Sequence, residues 1–356
     1  MIQSPLSMGV EYSPSALRAA VPVFRDVVRT YTADACLPLR AAVEAHEIQI
    51  AALARGHYPG QSLASDALLG VSSVGYWDAR NQQQWGLPWH RNEGIEISYL
   101  ERGTIDFAVA DRQLQLRPGD MAITRPWELH HLGGSHMGPN RLHWLILDVG
   151  VRRYGQPWRW PPWLVLSEEE ANQLVVNLGR IGEPIWTASA EVKRCFQLMA
   201  QTVEKDDSYR NLSRLAIRIN DLLLSMLDLL STSTSGVAQA SPGSSDTVRE
   251  LLERLARDRE SLAAQWTLEQ MAAECGFKRT QFVRHVRELT NVAPMYYLNF
   301  CRLEHARGLL ARASSMSVTE VAFYCGFCSS QYFATLFKRR FGVAPTDFRA
   351  SARDQF

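Results

Sequence analysis

Hydrophobic and polar positions change period along this chain, and the changes divide it. Ser15 to Arg55 is rich in Ala, Leu, Val and Arg and predicts helix, broken by Pro22 and Pro38. A soft boundary at Gly56–Gly60 closes this helical N-terminal segment, 1–60, for which the sequence offers no role. Between about Ala67 and Val149 the period falls to two. Ile95, Ile97 and Tyr99 alternate with Glu96, Ser98 and Leu100, and Ile105, Phe107 and Val109 alternate with Asp106 and Ala108. Turn signals at Glu101–Gly103, Arg117–Asp120 and Gly133–Gly134 separate these runs. That pattern predicts an antiparallel barrel or sandwich over 61–166. From Ser167 to Leu230 the period returns to helical. Leu222, Leu223, Met226, Leu229 and Leu230 form a stripe suited either to a second copy or to packing within the subunit. The uncharged, Ser-rich run from Ser231 to Ser245 reads as a tether, giving a linker at 231–246.

The last hundred residues contain an internal repeat. Leu268-x2-Met271-Ala272-x2-Cys275-Gly276-Phe277 recurs as Val318-x2-Val321-Ala322-x2-Cys325-Gly326-Phe327, 50 residues later. Apolar positions at i, i+3, i+4 and i+7 mark one face of a short helix. Thr267 with Gln270, and Ser317 with Glu320, have capping-box spacing, and each glycine can take a left-handed helix end. A second helix follows in each copy, with Phe282 and Val286 or Phe333 and Phe337 inward, and each copy closes on Val-Ala-Pro at Pro294 or Pro345. Helix, glycine turn, second helix is the helix-turn-helix arrangement. Between the copies, Met295 to Leu310 predicts one strut of 16 residues, roughly 24 Å at 1.5 Å per residue.

Charge sharpens this picture. The net charge of +1 hides 16 Lys+Arg against 11 Asp+Glu from Thr247 onward, and 22 against 26 before it. A basic C-terminal third points to an anionic partner. With 46% hydrophobic residues the chain can bury two cores. It has no apolar run of spanning length, and Met-Ile-Gln-Ser-Pro lacks an export signal, so a cytoplasmic protein with no membrane partner is expected. Six cysteines in so long a chain do not form a disulfide framework. Cys325-x2-Cys328 has no second pair to complete a zinc site and reads as core packing. No G-x4-G-K, G-x-S-x-G or H-E-x2-H pattern occurs.

The segment from about Val248 to Ala350 resembles the DNA-binding domain of AraC/XylS-type transcription regulators. W-T-L-E-Q-M-A-A-E-C-G-F, Y-L-N-F-C-R-L-E-H-A-R-G-L-L and S-V-T-E-V-A-F-Y-C-G-F through F-G-V-A-P carry the resemblance. One departure is Asn291 where the family usually has Gly, and Asn tolerates positive φ. The resemblance implies a bipartite site on double-stranded DNA. Thr280, Val283, Arg284, Ser330, Gln331, Ala334 and Thr335 would read bases, and Arg279, Arg287, Lys338, Arg339 and Arg340 would meet the backbone. Arg284 suits guanine, Gln331 adenine and Ala334 a thymine methyl.

The β segment is similar to a cupin. His90-x-Asn92-x3-Glu96-x6-Gly103 has the first motif's spacing, and Pro118-Gly119-Asp120 with Pro126-x3-His130 looks like the second. Metal-binding cupins supply three His and one Glu; here Asn92 replaces a His, leaving His90, Glu96 and His130, and no metal or other cofactor is expected. Nine of the ten tryptophans fall between Trp77 and Trp186, and flat rings can stack on a sugar. The expected effector pocket is Trp89, His90, Asn92, Glu96, Trp127 and His130, while Trp158, Trp160 and Trp163 read as a structural clamp.

The expected fold is therefore α+β and multidomain: a cupin-like antiparallel β-barrel with flanking helices, then an all-α domain, 247–356, of two helix-turn-helix units. Helices at 167–230 would serve dimerisation. The expected function is a regulator, an activator rather than an enzyme, controlled by a small metabolite such as a sugar. A homodimer and RNA polymerase are the further expected partners. The alternative is a metal-dependent cupin enzyme with a DNA-binding tail.

Overall fold

A computed structural model describes residues 21–25, 30–109, 112–134, 136–153, 156–180, 184–205, 211–233, 245–290, 292–312 and 316–353. The chain divides into two compact units, 1–235 and 236–356. The order in the first is β1 (Val23–Arg25), β2 (Thr30–Thr32), α1 (Leu37–Glu44), β3 (Gln49–Ala54), β4 (Gln61–Ser62), β5 (Val71–Ala79), β6 (Gly86–His90), β7 (Ile95–Arg102), β8 (Ile105–Val109), β9 (Arg112–Leu116), β10 (Asp120–Thr124), β11 (His130–Gly133), β12 (Asn140–Leu147), α2 (Glu168–Arg180), β13 (Ile185–Thr187), α3 (Ala190–Glu204) and α4 (Leu212–Ser233). The second contains α5 (Ser245–Arg257), α6 (Arg259–Ala263), α7 (Leu268–Glu274), α8 (Arg279–Thr290), α9 (Pro294–Ala311), α10 (Val318–Tyr324), α11 (Ser330–Phe341) and α12 (Pro345–Arg353). Among the described residues no helix is long and apolar enough to cross a membrane.

Two sheets build the barrel, one ordered β13-β10-β7-β12-β5-β3-β4 and one β6-β11-β8-β9. Neighbours are antiparallel except β3 and β4, which pair in parallel. The alternation splits each strand between two cores. On β7, Leu100 joins the barrel interior beside Glu96, while Ile95, Ile97 and Tyr99 face a helical layer. On β12, Leu142, Trp144 and Ile146 point in, and Leu145 and Leu147 point to the helices. β8 runs the other way, with Ile105, Phe107 and Val109 inside. Its sheet's inner face is apolar, whereas the large sheet is covered by helices and needs apolar residues on its outer face too.

Helical composition misleads in the first segment. Among the described residues there, only Leu37–Glu44 is helical, and Gln49–Ala54 is strand β3 beside β5. Residues 1–20 and 26–29 of that expected helix lie outside the described residues. The reason is close approach. A Cβ added at Gly75 would lie 2.3 Å from the Ala51 carbonyl oxygen and 2.6 Å from the Ala52 Cα, so small side chains on both strands let β3 sit there. Packing overrides alanine's helix preference. Strand β13 likewise joins the sheet through β10, from a stretch the period assigned to helix.

The stripe on α4 is used inside the subunit. Leu222, Leu223, Met226 and Leu230 are buried in one core with Val192, Phe196 and Met199 of α3. That resolves the two readings of the stripe against a dimer face. Trp158, Trp160 and Trp163 pack against the same core, and Trp163 Nε1 donates to the Leu69 carbonyl at 2.7 Å. Of the linker expected at 231–246, residues 234–244 lie outside the described residues.

In the second unit both capping boxes form, Thr267 with Gln270 and Ser317 with Glu320. Gly276 and Gly326 end the first helices with φ of +74° and +87°. The strut α9 has 18 residues, about 27 Å, and Pro294 stands in its first turn. It has no single apolar face because it serves two cores. Leu298 and Cys301 enter one with Phe282 and Val286; Leu303, Ala306 and Leu310 enter the other with Phe333 and Phe337. Asn291 lies outside the described residues. Gly342, before the second Val-Ala-Pro, is left-handed at φ +82°.

Candidate functional site

The barrel interior holds a small cavity of about 20 Å³, room for roughly one water as the side chains stand. Its walls come from strands distant in sequence. Trp77, Leu87, Leu132, Leu142, Trp144 and Ile146 make the apolar part; Cys36, Tyr58, Ser73, His90, Asn92 and Glu96 make the polar end. The indoles are fixed by their own nitrogens: Trp77 Nε1 donates to Asn140 Oδ1 at 2.6 Å and Trp144 Nε1 to Ser73 Oγ at 2.8 Å.

The polar end is a closed hydrogen-bond network. Glu96 accepts from Ser98 Oγ at 2.9 Å, from the Asn92 amide, and from His130 Nε2 at 3.0 Å. Glu93 accepts from Tyr58 Oη at 2.7 Å and from Ser72. Burial alone would raise the Glu96 pKa, but the His130 hydrogen bond and charge hold it down at about 2. Burial works against the His130 charge, yet Glu96 keeps that imidazole's pKa raised. His90, buried and beside the His130 charge, is pushed down to about 4 and stays neutral. Burial, with Asp34 and Glu96 nearby, pushes the Cys36 thiol up, so it stays protonated.

His90, Glu96 and His130 each bring one ligand atom within 4.8 Å of the others, all buried. Nδ1 of His90 lies 2.7 Å from the Pro88 carbonyl and Nδ1 of His130 2.9 Å from that of Glu128. Those contacts leave each Nε2 to face the carboxylate, the arrangement that orients metal-ligating imidazoles. The donor set fits a divalent cation, with Asn92 standing where a further imidazole would be. It equally satisfies itself as a Glu96–His130 ion pair.

The expected pocket residues separate. His90, Asn92 and Glu96 line the cavity and His130 backs Glu96. Trp89 does not face it: it is 45% exposed, with its ring 5.9 Å from His131. Trp127 is buried in the other core, 5.6 Å from Phe24, with Nε1 donating to the Val151 carbonyl at 2.6 Å. Neighbours on a strand point to opposite faces, so Trp89 cannot share His90's side. Trp77, Trp144 and Tyr58 take the places expected of those two, and the alternation Leu142-x-Trp144-x-Ile146 was the available signal for one of them.

In the helical unit the first helices begin 50 residues apart, at Leu268 and Val318, but the second helices begin 51 apart, at Arg279 and Ser330. The second turn thus holds one more residue. Thr280 then matches Gln331, Val283 matches Ala334, Arg284 matches Thr335, and Arg287 matches Lys338. Thr280, Arg284, Arg287, Gln331, Thr335 and Lys338 are exposed along one face of their helices, with Val283, Ala334 and Ser330 half-buried. Arg339 is exposed, and Arg279 pairs with Glu269 at 3.1 Å, an exposed pair that water weakens. Arg340 is placed differently from the expectation. Its Nη2 meets Glu304 Oε1 at 3.0 Å and its guanidinium lies 4.9 Å from the Phe300 ring. It occupies the place of Leu289 in the first copy, next to the core, so its charge is spent on the strut. Sequence reading also missed Tyr332, 51% exposed on α11, whose Oη accepts from Asn299 at 3.4 Å.

A cavity-bearing barrel followed by two helix-turn-helix units on one strut defines the class: a ligand-binding domain joined to a double DNA-binding fold. Residues 78–219 match the family model for the AraC-like ligand binding domain, and residues 271–351 match that for the helix-turn-helix domain. The chain belongs to the AraC family of transcription regulators. It is similar to the HTH-type transcriptional activator RhaS of Escherichia coli O157:H7, 47% identical over 73 residues, covering 20% of this chain and 26% of that protein. RhaS of Salmonella arizonae is 36% identical over 107 residues, 30% of this chain and 38% of that one. The match thus spans 26% to 38% of the length of these curated relatives. Among solved structures, the DNA-binding domain of AdpA in complex with a target DNA is 34% identical, covering 31% of this chain and 95% of that one, TM-score 0.29. ToxT from Vibrio cholerae O395 is 10% identical, covering 78% and 96%, TM-score 0.29.

Proposed function

We propose that this chain is a sequence-specific, double-stranded-DNA-binding transcription regulator, an activator, controlled by a small metabolite bound in the barrel. The observation that carries it is the pair of matching exposed faces, Thr280–Arg284–Arg287 and Gln331–Thr335–Lys338, held on one strut. Two such faces about one DNA turn apart would read successive major-groove segments. The effector is a sugar or other small polar metabolite that enters beside Trp77 and Trp144, whose rings pack on each other with centroids 5.7 Å apart and would have to yield, with its polar groups toward His90, Asn92 and Glu96. It acts by favouring one conformation over another. The protein works by binding, in the cytoplasm, as a homodimer that engages RNA polymerase. With the Leu222–Leu230 stripe used internally, the outward side of α2 and α4, carrying Val176 (41% exposed) and Ile217 (59% exposed), is left for the second copy.

The test is a titration of the full chain against its own upstream DNA at several salt concentrations, with footprinting. Paired protected segments one turn apart, with affinity falling steeply with salt, support the reading. Binding equal to that of unrelated DNA, with and without a panel of sugars, refutes it. Stoichiometric metal in the purified protein, held by His90, Glu96 and His130, would turn attention to the enzyme alternative.

A further inference from the structure

A buried arginine, away from both DNA-reading faces, joins the two helix-turn-helix units. Arg302 lies on α9 between the residues that enter the first core, Leu298 and Cys301, and those that enter the second, Leu303 and Ala306. It is 6% exposed, and its guanidinium lies 5.9 Å from the Phe327 ring of the second core. Its Nε donates to the Leu262 carbonyl at 3.0 Å and its Nη2 to the Ala264 carbonyl at 2.6 Å, at the end of α6. Among the described residues it makes no ion pair. A guanidinium buried without a carboxylate is costly, and a planar fork reaching two carbonyls at once is what offsets that cost.

The same spot is where the second unit's turn touches the segment that leads into the first. A Cβ added at Gly326 would lie 2.8 Å from the Ala263 carbonyl oxygen and 2.9 Å from Arg302 Nη2. Gln265 Nε2 donates to the Gly326 carbonyl at 3.1 Å, and the Cys328 thiol donates to Gln265 Oε1 at 2.8 Å. This turn is the one that holds the extra residue. A single helix fixes separation along its axis, but each core grips only one stretch of that helix. The angle of one unit about the axis relative to the other depends on contacts to the side.

We propose that Arg302 and Gln265 form a spacing lock. They pin the second helix-turn-helix to the α6–α7 segment, so that the angular phase between the two recognition helices is set by this contact and not by the strut alone. Arg302 is a positioning residue and touches no DNA. The lock rests on the DNA-binding reading above. One base pair inserted between the two segments turns the second by about 35° and moves it about 3.4 Å. A locked protein then loses one segment's contacts; an unlocked one swivels to keep them.

The experiment uses the full chain. Duplexes are selected from a random library with the wild-type protein, and one or two base pairs are inserted or removed between the two protected segments. Affinities are then measured for the wild type, Arg302→Met, Arg302→Lys and Gln265→Ala. The wild type is expected to lose roughly tenfold or more per altered spacing, the cost of a lost base contact or two. In all three variants the penalty falls to a few-fold, and affinity for each segment alone is unchanged. Lysine does not rescue, because one ammonium cannot hold two carbonyls in a plane. Mere loss of stability would lower affinity for every spacing alike. An unchanged spacing penalty in the variants overturns the lock. If the Arg302 variants do not fold, Gln265→Ala decides alone, since it removes the bonds to Gly326 and Cys328 without emptying the site. Should the wild type select no paired segments, the bipartite reading itself fails and the lock with it.

Discussion

Phe282 and Phe333 stand at matching places in the two copies, both fully buried, in separate cores. Replacing Phe333 by Ala removes a ring packed 5.2 Å from Phe327 and 5.5 Å from Phe337. A deletion of that size costs about 3–5 kcal/mol. The roughly 50 residues from Leu303 to Arg353 that this core holds together have, at about 0.05–0.15 kcal/mol per residue, some 2.5–7.5 kcal/mol to lose. Phe333→Ala therefore brings the second unit close to opening at room temperature and leaves the first core's contacts intact. The expected result is a new early transition on heating and a footprint that keeps only the first segment. Phe282→Ala should keep only the second. If either variant loses both segments at one temperature, the two cores melt as one body and the partition argued from the strut is wrong. If both segments survive in both variants, the burial argument itself fails.

Three further expectations follow from the same contacts. Arg284→Ala should cost about 1–3 kcal/mol at one base-pair position, whereas Lys338→Ala should weaken all sequences alike and lower the salt slope by about one; competition titrations on single-base variants distinguish them, and identical profiles would refute the assignment. Burial raises the Glu96 pKa but His130 holds it near 2, below its ordinary 4.5, so the carboxylate's stabilisation is complete above about pH 4.5 and lost as pH falls toward 2, at about 1.4 kcal/mol per unit. His130, raised by the same partner, stabilises below its ordinary 6.5 and loses that as pH rises through its folded value. Unfolding measured from pH 2 to 8 should show both limbs, and Glu96→Gln should flatten them; an unaltered profile would sink the pairing. Phe196→Ala should retain effector binding but lose the effector's influence on DNA affinity, read by titrating DNA with and without an active sugar.

The helical repeat was legible because everything that fixes it is local. Caps, turn glycines and apolar spacing all fall within ten residues, and both capping boxes form as their spacing requires. The single inserted residue in the second turn was also on the page, since Cys275 to Phe282 is one shorter than Cys325 to Phe333. It places Arg340 beside the core. The barrel's existence was legible from period two, but its inside was not. Alternation tells that Ile97 and Ser98 face opposite ways and not which side is the cavity. The helical cover reverses the usual choice for β7, and only the layer order decides it. Strand β3 was hidden because alanines chosen for close approach to Gly75 look like helix. Arg302 stands within the family pattern, yet nothing local marks it as buried.

The strand faces also say how a ligand in the barrel can be felt outside it. Glu96 and Trp144 meet the cavity; on the same strands, Tyr99, three residues from Glu96, and His143, next to Trp144, pair across the sheet in the opposite layer. Phe196 of α3 stacks on Tyr99 with centroids 5.5 Å apart and lies 6.1 Å from His143. From α3 the same core runs on to Leu222, Leu223 and Met226 of α4. A ligand that spreads Trp144 from Glu96 must move β12 against β7, because interiors packed this densely do not absorb displacement locally. Such a motion would reach Phe196, whose ring lies on Tyr99 and near His143. The α4 stripe, packed on α3, would carry it on along the helix toward Ser233. The contact is continuous at every step within this unit, so a displacement has a packed route along which to travel. It also explains why the polar end of the cavity is built as a closed, self-satisfied network. With Glu96 and Glu93 already bonded, a ligand shifts the protein only by what it gains over those bonds.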